Sequence, residues 1–210
     1  MAEDTASKLL DAAEALFSER GISAVSVRDI TTRAGTNVAS AHYHFGSKDG
    51  LIKAVVKRRI SAVNTRRLEM LKELKKQLGD KPVPVRDLMR AFLLPAITLI
   101  HEADGGGEHF VRFVARAQAE TNETVRREMF SRLKKTVSIF LDEFERTLPN
   151  ISREQVFIML VFSAGAMMQS VLFPFDKFAL ATGCNSKLSR QEVIELLISF
   201  STAGLEGGGL

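Results

Sequence analysis

Between Ser26 and Gly46 the chain carries two short apolar-periodic stretches separated by only three residues, Gly35, Thr36 and Asn37. That gap holds a turn and is too short for a strand. Ser26 with Asp29 stands at N-cap spacing, Val25 can staple to Ile30, and Gly35 stops the stretch, which predicts a helix over about Val27–Ala34. Asn37 caps a second from Val38 to about His44. Two helices joined by a glycine-containing three-residue turn form a helix-turn-helix, and the rest of the chain has to fold around it.

The same 3.6-residue period continues on both sides. Ala6, Leu9, Leu10, Ala13, Leu16 and Phe17 make a stripe over residues 6–20 that ends at Gly21. After Ser47 a long element carries Leu51, Ile52, Val55, Val56, Ile60 and Val63 on to Leu78 and stops at Gly79. Gly79 to Pro84 is the strongest breaker, and a helical body is expected beyond it over Val85–His101, Glu108–Glu120, Glu123–Thr147, Arg153–Phe173 and Ser189–Ala203. Ser152 with Gln155 and Ser189 with Glu192 match capping-box spacing. No period-2 segment and no repeat occurs. The prediction is an all-α chain: a three-helix helix-turn-helix domain over residues 1–50, then a larger helical domain over 51–210.

Composition narrows the class. Hydrophobic residues at 45% and charged residues at 26% describe a globular chain able to bury a core, not a disordered one. The single cysteine, Cys184, has no intramolecular partner for a disulfide or a structural zinc site, and the acidic N-terminus, with Glu3 and Asp4, is unlike a signal peptide, so a cytoplasmic location is expected. The uncharged run Val156 to Phe175 has the twenty-residue length of a membrane span. Its Ser163, Gly165, Gln169, Ser170 and Pro174, and the missing aromatic belts, favour an enclosed helix over a membrane one.

Charge is clustered. From Arg28 to Arg67 nine basic residues face two acids, a local +7 within a chain of net +4, so the remainder is −3. A concentration of one sign fits either contact with a polyanion or a solvated helix face. The segment Val38 to Phe45 fits the first reading better, because a helix entering a major groove about 12 Å wide needs small and polar residues outside and apolar anchors inside. Ala39 and Ser40 are small, while Asn37, Ser40, His42, Tyr43 and His44 supply donors and acceptors for base edges and phosphates. Ala41 and Phe45 are the expected anchors.

Arg28-Asp29-Ile30, then Ala34-Gly35-Thr36-Asn37-Val38-Ala39, then Tyr43-His44-Phe45-Gly46-Ser47-Lys48-Asp49-Gly50-Leu51 resembles the signature of TetR-family regulators over residues 7 to about 56. The resemblance implies that the second helix of the motif enters the major groove and that the lysine opening the next helix touches the backbone. Carried over, Arg28, Ser40, His42, Tyr43, His44 and Lys48 contact DNA, with Asn37, Val38 and Ala39 at the helix tip. Ser40-Ala41-His42 departs from the pattern, with alanine where a larger aliphatic and histidine where an aromatic often stands. The wording around Asn37 to Lys48 is also similar to a subset that includes fatty-acid-metabolism regulators.

A helix-turn-helix reads a pseudo-palindromic double-stranded operator as two half-sites about 34–36 Å apart, so a homodimer is expected. The resemblance puts its interface on the last two long helices, where Val193, Leu196, Leu197 and Phe200 form one stripe. The alternative on periodicity alone is an intramolecular core. The abundance of Phe and Met in residues 51–210 suggests a cavity for a small-molecule effector, with Phe92, Phe113, Met129, Leu133, Met159 and Phe162 as its lining and Arg116 as an acid anchor, against the alternative of a filled core. His101, Glu102, Asp104, Glu108 and His109 flank a glycine loop and read as solvated residues in preference to metal ligands. No catalytic residue, metal or cofactor is expected: the chain has no phosphate loop and no nucleophile beside a base. The expected function is a repressor released from DNA by a small apolar or amphipathic ligand; a ligand-independent architectural DNA binder and a helical enzyme are the alternatives.

Overall fold

The computed structural model describes residues 2–100, 106–172, 182–183 and 188–208. Among these are nine helices and no strand: α1 (Ala2–Arg20), α2 (Val27–Arg33), α3 (Val38–Phe45), α4 (Lys48–Leu78), α5 (Val85–Ile100), α6 (Gly106–Ala119), α7 (Glu123–Thr147), α8 (Arg153–Leu172) and α9 (Arg190–Gly207). The all-α expectation holds, and the capping signals mark the starts: α2 and α9 each begin with a reciprocal capping box, Ser26 with Asp29 and Ser189 with Glu192. The helices differ from the sequence reading mainly at their ends, where α1 begins earlier and α9 continues past Ala203 to Gly207. His101, Glu102, Asp104, Phe173 and Cys184 lie outside the described residues.

Packing divides the chain into two compact units, Met1–Val63 with Leu99–Lys134, and Asn64–Thr98 with Lys135–Leu210. In the first, α1 is the central element, lying along α6 and against α2 and α3. Its stripe of Leu9, Ala13, Leu16 and Phe17 is withdrawn from water. The Phe17 ring stacks on Phe113 at 5.8 Å between centroids, and Phe110 adjoins Phe113 at 5.9 Å. Polar links flank this contact: Ser18 Oγ and His109 Nδ1 are 2.8 Å apart, and the Ser23 hydroxyl donates to the Glu120 carboxylate at 3.2 Å.

The most buried charge of this unit ties α1 to α4. Glu14, only 1% exposed, accepts hydrogen bonds from Arg59 Nε at 3.1 Å and from Arg58 Nη2 at 2.8 Å, while Arg58 Nη1 donates to Asp11 at 2.6 Å. Burial works against the Arg58 charge, and the hydrogen bonds to Glu14 and Asp11 outweigh it, holding the guanidinium above its usual value.

The second unit has its own core, built on Leu88, Met89, Leu93, Phe140, Phe144 and Ile198, with α8 packed on α9. Phe92 meets Phe140 edge to face at 5.3 Å. Glu195 on α9 receives Arg90 at 2.6 Å and Arg86 at 2.9 Å from α5. The expected enclosure of α8 on several sides is only partial within one chain. Phe157, Ile158, Val161 and Phe162 on α8, with Leu196 and Phe200 on α9, are exposed in the single chain. Among the described residues no helix is long and apolar enough to cross a membrane.

Because Glu14 is buried between two guanidiniums, Glu14→Gln removes the charge they share while preserving shape. Breaking a buried pair from one side costs about 3–5 kcal/mol, and the lower end applies because Arg58 keeps Asp11. The expected outcome is a loss of about 3 kcal/mol in urea denaturation; a midpoint equal to the parent's refutes the role given to Glu14.

Candidate nucleic-acid interface

The helix-turn-helix is assembled by caps more than by its small core. At the start of α2 the Ser26 backbone N–H donates to Asp29 at 2.8 Å and the Asp29 N–H returns to Ser26 Oγ at 3.2 Å. The Ser26 hydroxyl and backbone N–H hold the Asp29 carboxyl below its ordinary value, so this lock is complete at neutral pH and is lost as the carboxylate protonates in acid. The end of α2 closes through Thr36 N–H to the Thr31 carbonyl at 2.9 Å, with Gly35 at φ +63°, a conformation that favours glycine. Ile30, buried completely, anchors α2 from within.

Asn37 then caps α3, its Oδ1 accepting from the Ser40 N–H at 2.8 Å and from the Ser40 hydroxyl at 3.0 Å. At the other end His42 Nδ1 lies 2.8 Å from the Gly46 carbonyl. A carbonyl only accepts, so Nδ1 is the donor in this contact and Nε2 is the ring nitrogen left over. Ala41 is buried and Phe45 half-buried, the arrangement expected of the two anchors. Ala39, His42 and Tyr43 are exposed, Tyr43 at 84%, while Val38, Ser40 and His44 are half-buried. The Tyr43 and His44 rings meet edge to face at 5.1 Å.

The joint between α3 and α4 is tight. Ser47 Oγ accepts from the Gly50 N–H at 3.1 Å, and a Cβ added at Gly50 would stand 1.9 Å from the Phe45 carbonyl oxygen. Glycine at this position therefore permits the first turn of α4 to sit against the last of α3. Lys48 donates its ammonium to the Ile22 carbonyl, and Arg28 is exposed on α2. All nine expected contact residues thus lie within one short stretch of the first unit, most of them on or beside α3.

Two family models match the chain: one described as bacterial regulatory proteins, tetR family, over residues 9–55, and one described as tetracyclin repressor-like, C-terminal domain, over residues 90–204. The chain belongs to the TetR family. Members of the family bind DNA operators and function as dimers. The HTH-type transcriptional repressor Rv3405c of Mycobacterium tuberculosis (strain ATCC 25618 / H37Rv) is 46% identical over 54 residues, 26% of this chain and 29% of that protein. The match therefore spans less than a third of that repressor's own length. The HTH-type transcriptional repressor KstR of Rhodococcus jostii (strain RHA1) is 26% identical over 129 residues, 56% of this chain and 61% of that protein. The solved structure of the ketosteroid transcriptional regulator KstR2 of Mycobacterium tuberculosis superposes with a TM-score of 0.63 at 18% identity, covering 95% of this chain and 93% of that one, a likeness of fold.

For this TetR-family chain the residues expected to line an effector cavity fall in both units. Phe113 is buried in the stack on α6, Arg116 is exposed, and Met129 and Leu133 are half-buried on α7. In the second unit Phe92 is buried, Met159 half-buried and Phe162 exposed. Among the described residues no group of three or more His, Cys, Asp and Glu side chains stands close enough to hold a metal. Sequence reasoning missed two residues here: Glu14, hidden within an apolar stripe, and Arg67, a buried guanidinium on α4. The signal for Glu14 is its spacing of four from Leu10, which places a carboxylate on the inward face of α1.

Gly50→Ala tests the joint. The Cβ has backbone beside it and no flexible side chain to displace, so overpacking is expected to cost about 1–3 kcal/mol or more in thermal denaturation. An unchanged melting temperature contradicts the close approach of α3 and α4.

Proposed function

We propose that this chain is a dimeric, sequence-specific DNA-binding repressor released from its operator by a small apolar or amphipathic effector. The observation that carries the reading is α3: a helix capped at both ends, held from inside by Ala41, with Ala39, His42 and Tyr43 turned to solvent. In this reading Arg28, Asn37, Val38, Ala39, Ser40, His42, Tyr43, His44 and Lys48 form the DNA surface. The tip residues and His42 Nε2 face base edges, and Arg28 and Lys48 face phosphates. Residues 1–50 are the DNA-binding domain and 51–210 serve effector binding and dimerisation. The protein acts in the cytoplasm, where its operator is.

The bare apolar face of α8 and α9 supports a homodimer. Six large side chains, Phe157, Ile158, Val161, Phe162, Leu196 and Phe200, are exposed together, and a second copy of the same two helices would cover them in a four-helix bundle. A pseudo-palindromic operator presents two half-sites, which a dimer meets with two copies of α3. The effector acts by preferring an arrangement in which the α3 pair no longer matches the half-sites.

Tyr43→Ala removes a side chain that is 84% exposed, so the fold keeps its stability while operator affinity falls about tenfold or more, read by gel shift on the DNA upstream of the protein's own gene. A parent protein that leaves that DNA unshifted at moderate salt, as an intact dimer, overturns the reading. Phe200→Glu, at a site 68% exposed in the single chain, is expected to yield a folded monomer in analytical ultracentrifugation with little specific DNA binding. A variant that still sediments as the parent dimer removes α9 from the interface.

A further inference from the structure

We propose that Arg67 anchors the acidic group of the effector, so that the ligand is an apolar molecule carrying a carboxylate or comparable anion. The inference rests on the effector-responsive reading above and names the chemistry that the effector must bring. Arg67 is only 5% exposed, in the second unit. Its Nε donates to the Phe92 carbonyl at 2.7 Å, and its guanidinium carbon lies 4.2 Å from the Phe92 ring centroid. Among the described residues the two terminal nitrogens hold only a contact to Asn64 Oδ1 at 3.5 Å, and no carboxylate reaches the group.

Other arginines withdrawn wholly or partly from water are differently placed. Arg58 and Arg59 share Glu14, and Arg90 has Glu195. Arg67 alone among these four keeps its charge in an apolar core with no anion beside it. Burial pulls its pKa down to about 10, so it remains a cation at neutral pH.

A purely structural role accounts for part of this arrangement. Pro95 has no N–H to bond the Ala91 carbonyl, and Arg67 Nε donates to the carbonyl of the next residue, Phe92, beside this break in the α5 ladder. That role engages one of five N–H donors and leaves the terminal fork, whose geometry matches a carboxylate, without a strong acceptor. The surroundings suit an apolar body: Phe92, Phe140 and Met89 lie in the core of this unit, with Met70, Met159 and Met167 packed against it, and methionines repack readily around inserted groups. Arg116, the anchor expected from sequence, is exposed, whereas Arg67 is enclosed where a fork can select one acid group.

The test uses the full-length protein, Arg67→Met and Arg67→Lys, and three acids each paired with its primary amide: decanoate, 4-butylbenzoate and cyclohexanecarboxylate. Thermal shift and equilibrium dialysis are read for each pair. In the parent, at least one acid binds about tenfold or more tightly than its amide, the difference vanishes in Arg67→Met, and it shrinks in Arg67→Lys, which keeps the charge without the fork. Acids that bind no better than amides in the parent overturn the proposal, as does an undiminished difference in Arg67→Met. If Arg67→Met has no cooperative unfolding transition, Arg67→Lys decides, and an acid preference equal to the parent's is then the overturning result. Operator binding of each ligand-free protein is measured in parallel. A parent that binds acids through Arg67 and ignores DNA sinks the repressor reading alone, and a parent that binds DNA and ignores acids sinks this inference alone.

Discussion

A carboxylate withdrawn from water is tolerated only where charge and geometry compensate it, and Glu14 meets that condition by accepting from both Arg58 and Arg59. The three residues lie on two helices far apart in sequence, α1 and α4, so the pairing fixes the rotation of each against the other. The rest of the DNA-reading geometry is set from there. α2 and α3 are too short to choose their own orientation; they lean on α1 on one side and, through the close approach at Gly50, on the start of α4 on the other. Apolar contact alone permits sliding, whereas a buried charge shared between two guanidiniums has one favourable position.

The seam of α1 with α6 adds a second constraint within the same unit. Phe17 on Phe113, Ser18 beside His109 and Ser23 beside Glu120 make contacts spread along α1 and just beyond its end. A movement of α6 is therefore delivered to α1 along its length, and α1 bears on both helices of the motif. The helix that carries Arg58 and Arg59 continues without a break to Arg67. In the proposed mechanism the ligand acts through whichever of these helices it holds differently in the DNA-competent and released arrangements; tight binding without that difference changes nothing at the operator.

How far the sequence reaches depends on whether a feature is local. Helix starts were legible because capping is: Ser26 with Asp29, Asn37 with Ser40 and Ser189 with Glu192 are each set by residues three apart. The contents of α3 were legible for the same reason, since a helix of eight residues with one inward face leaves little choice over what points outward. Long-range facts were not legible. Nothing near Glu14 in sequence announces its partners, which lie 44 and 45 positions away. The seven residues proposed from composition as a cavity lining fall in both units, because abundance of Phe and Met says how much apolar surface exists and not which helices share it. Arg67 stands four residues from both Val63 and Leu71 in the apolar stripe of α4, so its inward direction was legible while its Phe92 contact was not. Arg116 stands four from Arg112 and Glu120 and is exposed.

The folded chain also revises what its charge can do. Of the nine basic residues between Arg28 and Arg67, Arg33 is paired with Glu19, Arg58 with Asp11 and Glu14, and Arg59 with Glu14. Arg67 is buried in the other unit. The field offered to a polyanion is accordingly weaker than a local +7 suggests, since a cation already neutralised by a carboxylate releases few counterions on meeting a phosphate. Non-specific affinity built on so few phosphate contacts is modest and depends only weakly on salt. Discrimination between an operator and bulk DNA then has to come from short-range fit along α3, doubled by a second copy at a fixed spacing, and for that reason the rigidity of the caps matters more to this reading than the count of arginines.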